Sequence, residues 1–557
     1  MDRVVICGGT VVDGTGTPGM AADVAVEGDR IAEIGHNLKG DRRIDAGGCV
    51  VAPGFVDVHT HYDAQVFWDP GLTPSCFHGV TTVVAGNCGF SLAPVKAEDR
   101  DFLARTMEKV EDMDPDCLAS GVEWTAFESF PDYLEAVRGH GVGLNYSAYI
   151  GHTPLRLYVM GREAAERPAT PEELRRMELL VEEAMAAGAA GFATSMGINH
   201  LGADGRPIPS RVATKEEIVA LAAVVARSGR GVVGVNGGEG LTFRECYELQ
   251  PRMGAPLTFT AVLTTPSGAH LKAAEIHREA WARGVQVHPQ VSCRPLTFSI
   301  NLLEPFNLNS NPVFADLMSE SVEARRAAYG DPAWRRRARD AWAANRRTQP
   351  RWDTLEIMES DAHPELVGRR LTDIADERNG ADPLDVLLDL SSDERDLQSL
   401  RVKTIVANDD PEGIVMLLNE PGCILGLSDA GAHIGQLCDA PLPTDLLGNW
   451  VRGREALGLE AAVHKLTQEP AELFGFAGRG VLRPGAFADI AVFDPETVAP
   501  GPLRRVRDFP ASTERLTADS PTGMRHVLVN GVAVRTDEQQ VEPAGRPGRV
   551  LSPAAGA

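Results

Sequence analysis

Val58-His59-Thr60-His61 closes an apolar run, CVVAPGFVDV. On an extended strand residues i and i+2 face the same side, so the two imidazoles converge. Neutral imidazole is a common ligand of zinc and similar metals. Reactive groups of (β/α)8 barrels stand at the C-terminal ends of the strands, and an H-x-H pair after a buried strand occupies that place. The competing reading, two surface histidines, fits the pair alone but not its position. Asp429 closes a second apolar run, CILGLSD. An aspartate on the same rim can bind a metal and accept a proton from an attacking water. Arg294 follows a further strand-like run in VSCRP. Its guanidinium could grip a substrate carboxylate through paired N–H groups, or form an ordinary surface or structural ion pair. Other chemistries are disfavoured. The chain has no G-x-S-x-G elbow, and the glycine-rich GVNGGEG lacks the lysine and helix context of a phosphate loop.

These residues need strands to hold them. Apolar strand-like runs alternate with helix-like stretches from residue 53 to about 479, the pattern of parallel strands joined by crossover helices. The expected fold is α/β, a (β/α)8 TIM-type barrel. Nine runs compete for eight places: 54–59, 80–86, 143–149, 190–194, 231–236, 257–263, 285–291, 402–408 and 423–428. Helix starts are legible, with Thr170-Pro171-Glu172-Glu173 combining an N-cap, a first-turn proline and a capping-box glutamate, and Thr214 with Glu217 repeating the spacing. Insertions interrupt the rhythm at about 95–140 and 300–400. The second contains the arginine-rich run WRRRARDAWAANRR, read as a solvated helix or as a lid over substrate.

The two ends share a different texture. Residues 1–52 and 480–540 hold short strands broken by turn signals, including Gly28-Asp29 and Asn530-Gly531. Each is too small to bury a core alone, so the two are expected to join in one small β-sandwich domain. Residues 541–557, rich in Pro, Gly and Ala without apolar periodicity, read as a flexible tail.

Composition narrows the partners. The chain has 557 residues, 43% hydrophobic and 24% charged, and its formal net charge of −24 opposes binding to nucleic acid or anionic membrane. Nine scattered cysteines without a C-x-x-C pair fit a reducing, cytoplasmic setting. No apolar stretch has signal-peptide or membrane-spanning length.

Five phrases in order, APGFVDVHTHYD, HGVTTVVAGNCGFSLAP, IGHTPLRLYVMG, LGLSDAGAH and RGVLRPGAFADIAVFDP followed by VLVNG, resemble the amidohydrolase superfamily, specifically its N-acyl-D-amino-acid deacylase (D-aminoacylase) branch. The resemblance implies metal ligation by His59, His61 and Asp429, with Cys88 matching a bridging cysteine ligand and Asp429 serving as general base and acid. Gly86 and Gly89, flanking the Asn87-Cys88 pair, would let backbone come close to a metal, whereas a buried cysteine is often only a small hydrophobe. His152, in IGHTPLR, would orient substrate, with a structural histidine as the alternative. The resemblance also implies histidines after the fifth and sixth strands. Here those stretches read GVVGVNGGEG and APLTFTAVLTT, with Val235 or Asn236 in the first place and the Ala261 region in the second.

The expectation is therefore a divergent member with one divalent metal per chain, preferably zinc, rather than two. A second site rebuilt from Glu239, His200, His288 or His433 is the alternative. The implied reaction is hydrolysis of a non-peptide-backbone amide, with an N-acyl amino acid as substrate and a homo-oligomer as one possible assembly. A cyclic-amide or other C–N hydrolase, or a catalytically silent binding paralogue, are the competing readings.

Overall fold

Eight of the nine apolar runs pair side by side in a computed structural model, which describes residues 2–202, 204–303, 305, 308–345, 349–540 and 545–555. They are β1 (Phe55–Asp57), β2 (Val80–Ala85), β3 (Asn145–Gly151), β4 (Gly191–Ser195), β5 (Val232–Asn236), β6 (Leu257–Thr260), β7 (Val287–Val291) and β8 (Ile424–Leu425). All neighbouring pairs are parallel, in sequence order from β1 to β8. The ring closes just beyond β1 and β8, through the parallel bridge Thr60–Ala430 and a 2.7 Å bond from His61 N–H to Ala430 O. That closure brings the H-x-H pair beside Asp429.

The crossover helices begin where the caps allow. Thr170 and Glu173 form the full capping box at Pro171–Ala187. Thr214 accepts from Glu217 N–H at Lys215–Arg227, but the Glu217 carboxylate turns inward to other partners. The helices lay apolar faces on the strands, burying residues such as Met177, Val181, Ile218, Leu221 and Val225.

The ninth run belongs elsewhere. Arg401–Ala407 is the centre of a three-stranded antiparallel sheet with Leu296–Ile300 and Glu356–Glu359. Alternating apolar residues suit either setting, so periodicity alone could not separate it from a barrel strand. This sheet lies in a second compact unit, residues 295–409, distinct from the unit formed by 1–294 and 410–557. Within that second unit Phe314, Tyr329, Trp334 and Trp342 form an aromatic cluster. The arginine-rich run is the helix Pro332–Ala344, burying Trp334, Ala338 and Trp342. Arg335 pairs with Asp385 and Asp389, and Arg339 with Asp385. Residues 346 and 347 of the run lie outside the described residues.

The chain ends meet in one sheet. Val50–Pro53 pairs antiparallel with Ile490–Phe493, joining the strands of residues 3–53 to those of 490–540. Asn530 and Gly531 both take positive φ, 47° and 79°, at the turn between Met524–Val529 and Val532–Thr536. The segment read as a tail is bonded to the barrel over part of its length. Gly548 N–H donates to Val142 O at 2.8 Å, Tyr146 N–H to Arg549 O at 2.8 Å and Leu551 N–H to Tyr146 O at 2.7 Å. Main-chain bonding needs no apolar period, which is why the sequence pattern hid it. Residues 541–544 and 556–557 lie outside the described residues. Among the described residues no helix is long and apolar enough to cross a membrane.

Candidate metal centre

The strand ends aim four side chains inward. His59 and His61 follow β1, Cys88 follows β2, and Asp429 follows β8. His59 Nε2 lies 3.0 Å and His61 Nε2 3.7 Å from Asp429 Oδ1, while His59 Nε2 lies 3.7 Å from Cys88 Sγ. One donor atom each from His59, His61 and Cys88 falls within a mutual 4.8 Å. Both histidines are buried.

The donor chemistry fits a divalent cation. Bonds of about 2.0–2.3 Å to a shared zinc-like ion place neighbouring ligand atoms roughly 3–4 Å apart, the spacing found here. Gln290 Oε1, an acceptor, sits 2.6 Å from His59 Nδ1. This contact places a proton on Nδ1, so a cation that displaces the second proton would meet Nε2, the atom facing Asp429 and Cys88. Electrostatics agree. Burial opposes a charged imidazole at His59, but the Asp429 carboxylate outweighs it and raises the pKa to about 10. At His61 burial is likewise outweighed, by Glu111 and then Asp429. Burial would raise the Asp429 and Cys88 values, yet the two imidazoles hold Asp429 well below the usual carboxylate range and lower the Cys88 thiol. The anions thus create a demand for positive charge that a bound cation meets.

The backbone here is strained. Cys88, Asp429 and His433 take φ values of 55°, 46° and 50°, in a left-handed region that costs side chains about 1–3 kcal/mol each. Gly86 lets Cys88 come in: at φ 78°, a Cβ there would lie 2.5 Å from Tyr149 O.

At the ends of β5 and β6, where the resemblance implies imidazoles at Val235 or Asn236 and near Ala261, Asn236 and Thr260 are the side chains that approach the centre. Asn236 Nδ2 approaches Cys88 Sγ at 3.6 Å, and Thr260 Oγ1 approaches His59 Nδ1 at 3.4 Å. The other sequence candidates fall differently. His152 is fully buried, with Nδ1 at 2.8 Å from Thr194 Oγ1 and Nε2 at 2.9 Å from Glu217 Oε1. Both ring nitrogens are committed to protein, so the substrate-orienting role expected of it gives way to a structural one. Arg294 Nε donates to Asp439 Oδ1 at 2.7 Å, and Nη1 lies 3.4 Å from Asp445, so two carboxylates already engage the guanidinium expected to grip substrate. His288 packs on Trp281, with Nδ1 3.1 Å from Gly422 O. Glu239 is exposed. His200 Nδ1 is 2.8 Å from Ser195 Oγ, and its ring lies against Phe90.

Two residues at the centre escaped sequence reading. Gln290 stands on the buried strand VHPQV, where a polar side chain among apolar ones was a usable signal. Glu111 ends the helix Arg100–Glu111 of the first insertion, on the stripe with Leu103, Met107 and Val110, and its Oε1 lies 3.6 Å from His61 Nδ1. A charge on an apolar stripe was the signal there.

The four donors cluster at the C-terminal rim of a (β/α)8 barrel. Residues 42–535 match the amidohydrolase family, to which the chain belongs. It is 32% identical to an N-acyl-D-glutamate deacylase of Alcaligenes xylosoxydans xylosoxydans, covering 98% of this chain and 96% of the relative. Its fold matches an N-acyl-D-glutamate deacylase from Bordetella bronchiseptica complexed with zinc and a phosphonate mimic of the tetrahedral intermediate, at 29% identity and TM-score 0.67 over 99% of each chain. A D-aminoacylase with a binuclear metal centre, described in terms of one-metal activation and second-metal attenuation, matches at 28% identity and TM-score 0.67 over 99% of this chain and all of that one.

Proposed function

We propose that this amidohydrolase deacylates N-acyl-D-amino acids, with His59, His61 and Asp429 holding one divalent cation, zinc by preference, and Cys88 at its side. The observation that carries the reading is the convergence of these four donors at the barrel rim, within 3.0–3.7 Å along each contact from Asp429 to Cys88. A bound cation would supply Lewis acidity, acidifying water and polarising the scissile carbonyl. The protein's own groups do the rest. Asp429, held ionised by its two imidazoles, starts as a proton acceptor, takes the proton of the attacking water and returns it to the departing amine. His59 is fixed from behind by Gln290, so its Nε2 stays aimed. Asn236 and Thr260 stand where a second cation would need imidazole, which supports a single firmly held ion. The nine cysteines are free thiols, which supports a cytoplasmic setting.

The test is hydrolysis of a panel of N-acetyl D- and L-amino acids by protein stripped with chelator and then reconstituted with zinc. The expected result is activity confined to D substrates, lost on stripping and regained with metal. Equal activity before and after stripping, or turnover of cyclic amides alone, would contradict it.

A further inference from the structure

Glu111 has no role in the scheme above, yet its burial demands one. It is 2% exposed, and a carboxylate removed from water costs several kcal/mol unless a cation or donors compensate. Its Oε1 has no hydrogen-bond partner and faces His61 Nδ1 at 3.6 Å. The opposite edge of that ring, Nε2, faces Asp429 at 3.7 Å. The imidazole therefore stands between two carboxylates, one on the metal side and one behind. The main chain fixes this placement. Glu111 O accepts from His433 N–H at 2.5 Å, and the next residue, Asp112, accepts from Gly435 N–H at 3.3 Å through Oδ2. The end of the insertion helix is thus tied to the loop that follows Asp429.

We propose that Glu111 is a positioning residue of the metal centre: its carboxylate, facing His61 Nδ1, favours a proton on that nitrogen, sets the ring's tautomer and orientation, and so presents Nε2 to the cation. The inference rests on the metal reading above. A ligating histidine commonly donates its second N–H to a carboxylate, and loss of such a partner costs about 10–100-fold in metal affinity. His59 has an amide oxygen in this place, from β7, and His61 has a carboxylate from the first insertion. The two ligands of one motif are thus held from behind by different kinds of group, and the insertion becomes part of the centre.

The test is competition of full-length protein against a chromophoric chelator for Zn2+, with Co2+ absorption as a second readout. Glu111→Gln preserves shape and main-chain bonds while removing the charge. It should bind Zn2+ about 10–100-fold more weakly than wild type and alter the Co2+ ligand-field bands, with the melting temperature of the metal-free protein not lowered. In a His61→Ala background the same change should add less than about twofold, because the effect runs through that ring. If Glu111→Gln does not fold, Glu111→Asp is read instead, with an expected loss of at least about threefold as the carboxylate withdraws by one methylene. Wild-type affinity and spectrum in the variant that folds, or a full additional loss in the His61→Ala background, would overturn the proposal. Failure of the wild-type protein to bind Zn2+ at all would instead overturn the metal reading on which it rests.

Discussion

Two buried clusters of histidine and carboxylate lie in the same barrel, and they behave in opposite ways. At His152, Glu217 and Arg156 both imidazole nitrogens and both terminal guanidinium nitrogens have protein partners. Glu217 accepts from Arg156 at 2.5 and 2.6 Å and contacts His152 Nε2 at 2.9 Å, while Arg156 Nη2 reaches Ala164 O and Arg167 O. At His59, His61, Cys88 and Asp429 the polar atoms face one another across 3.0–3.7 Å, and the backbone is strained at Cys88 and Asp429. Both set buried histidine beside a carboxylate. What separates a centre from a strut is whether the coordinating atoms have been spent on the protein.

The sharpest way to break this contrast is to exchange the chemistry of Asp429. Asp429→Asn should lower kcat by about 10²–10⁴-fold, since it removes the proton carrier, and steady-state assay of folded protein reads it. The matching change in the other cluster, Glu217→Gln, should do the reverse. It leaves the Arg156 charge buried without its partner and should cost about 3–5 kcal/mol of stability in denaturant titration, with metal content unchanged. Loss of metal from that variant would erase the distinction.

Acid sharpens it further. Burial would raise the Glu217 pKa, but His152 and then Arg156 outweigh it and lower the value from 4.5 to about 2. The folded-state value lies below the unfolded one, so this contribution is fully present above about pH 4.5 and fades as pH falls toward about 2. At neutral pH it amounts to about 3 kcal/mol. Wild-type stability should therefore fall over that window with a steeper slope than Glu217→Gln, and parallel curves would count against it. The smallest effect is expected at Cys88. Its thiol flanks the histidines, whereas Asp429 carries both metal-binding charge and the proton, so Cys88→Ser should cost less activity than Asp429→Asn. Equal losses would point to a thiolate shared by two ions.

Much of this contrast was legible before the structure. The H-x-H pair and the aspartate after the last apolar run could be read from position along a strand, and the missing imidazoles at the fifth and sixth strands only from the resemblance to the deacylases. The rest was hidden for physical reasons. Residues 401–407 alternate like a barrel strand, and only pairing distinguishes them. Glu217 carries a capping-box spacing, which conceals a side chain that turns into the core. His152 sits in a phrase shared with deacylases, and neither phrase nor strand position reveals that its two nitrogens are already bonded. Glu111 comes from an insertion, where no strand register announces which way a side chain points.

The most direct test is the metal content of wild-type protein, His59→Ala and His152→Ala after exhaustive dialysis against zinc-buffered solution. One firmly held ion per chain is expected in wild type and in folded His152→Ala, and none in His59→Ala. Full metal retention by His59→Ala, or two ions per wild-type chain, would contradict a single centre built on the first strand of the barrel.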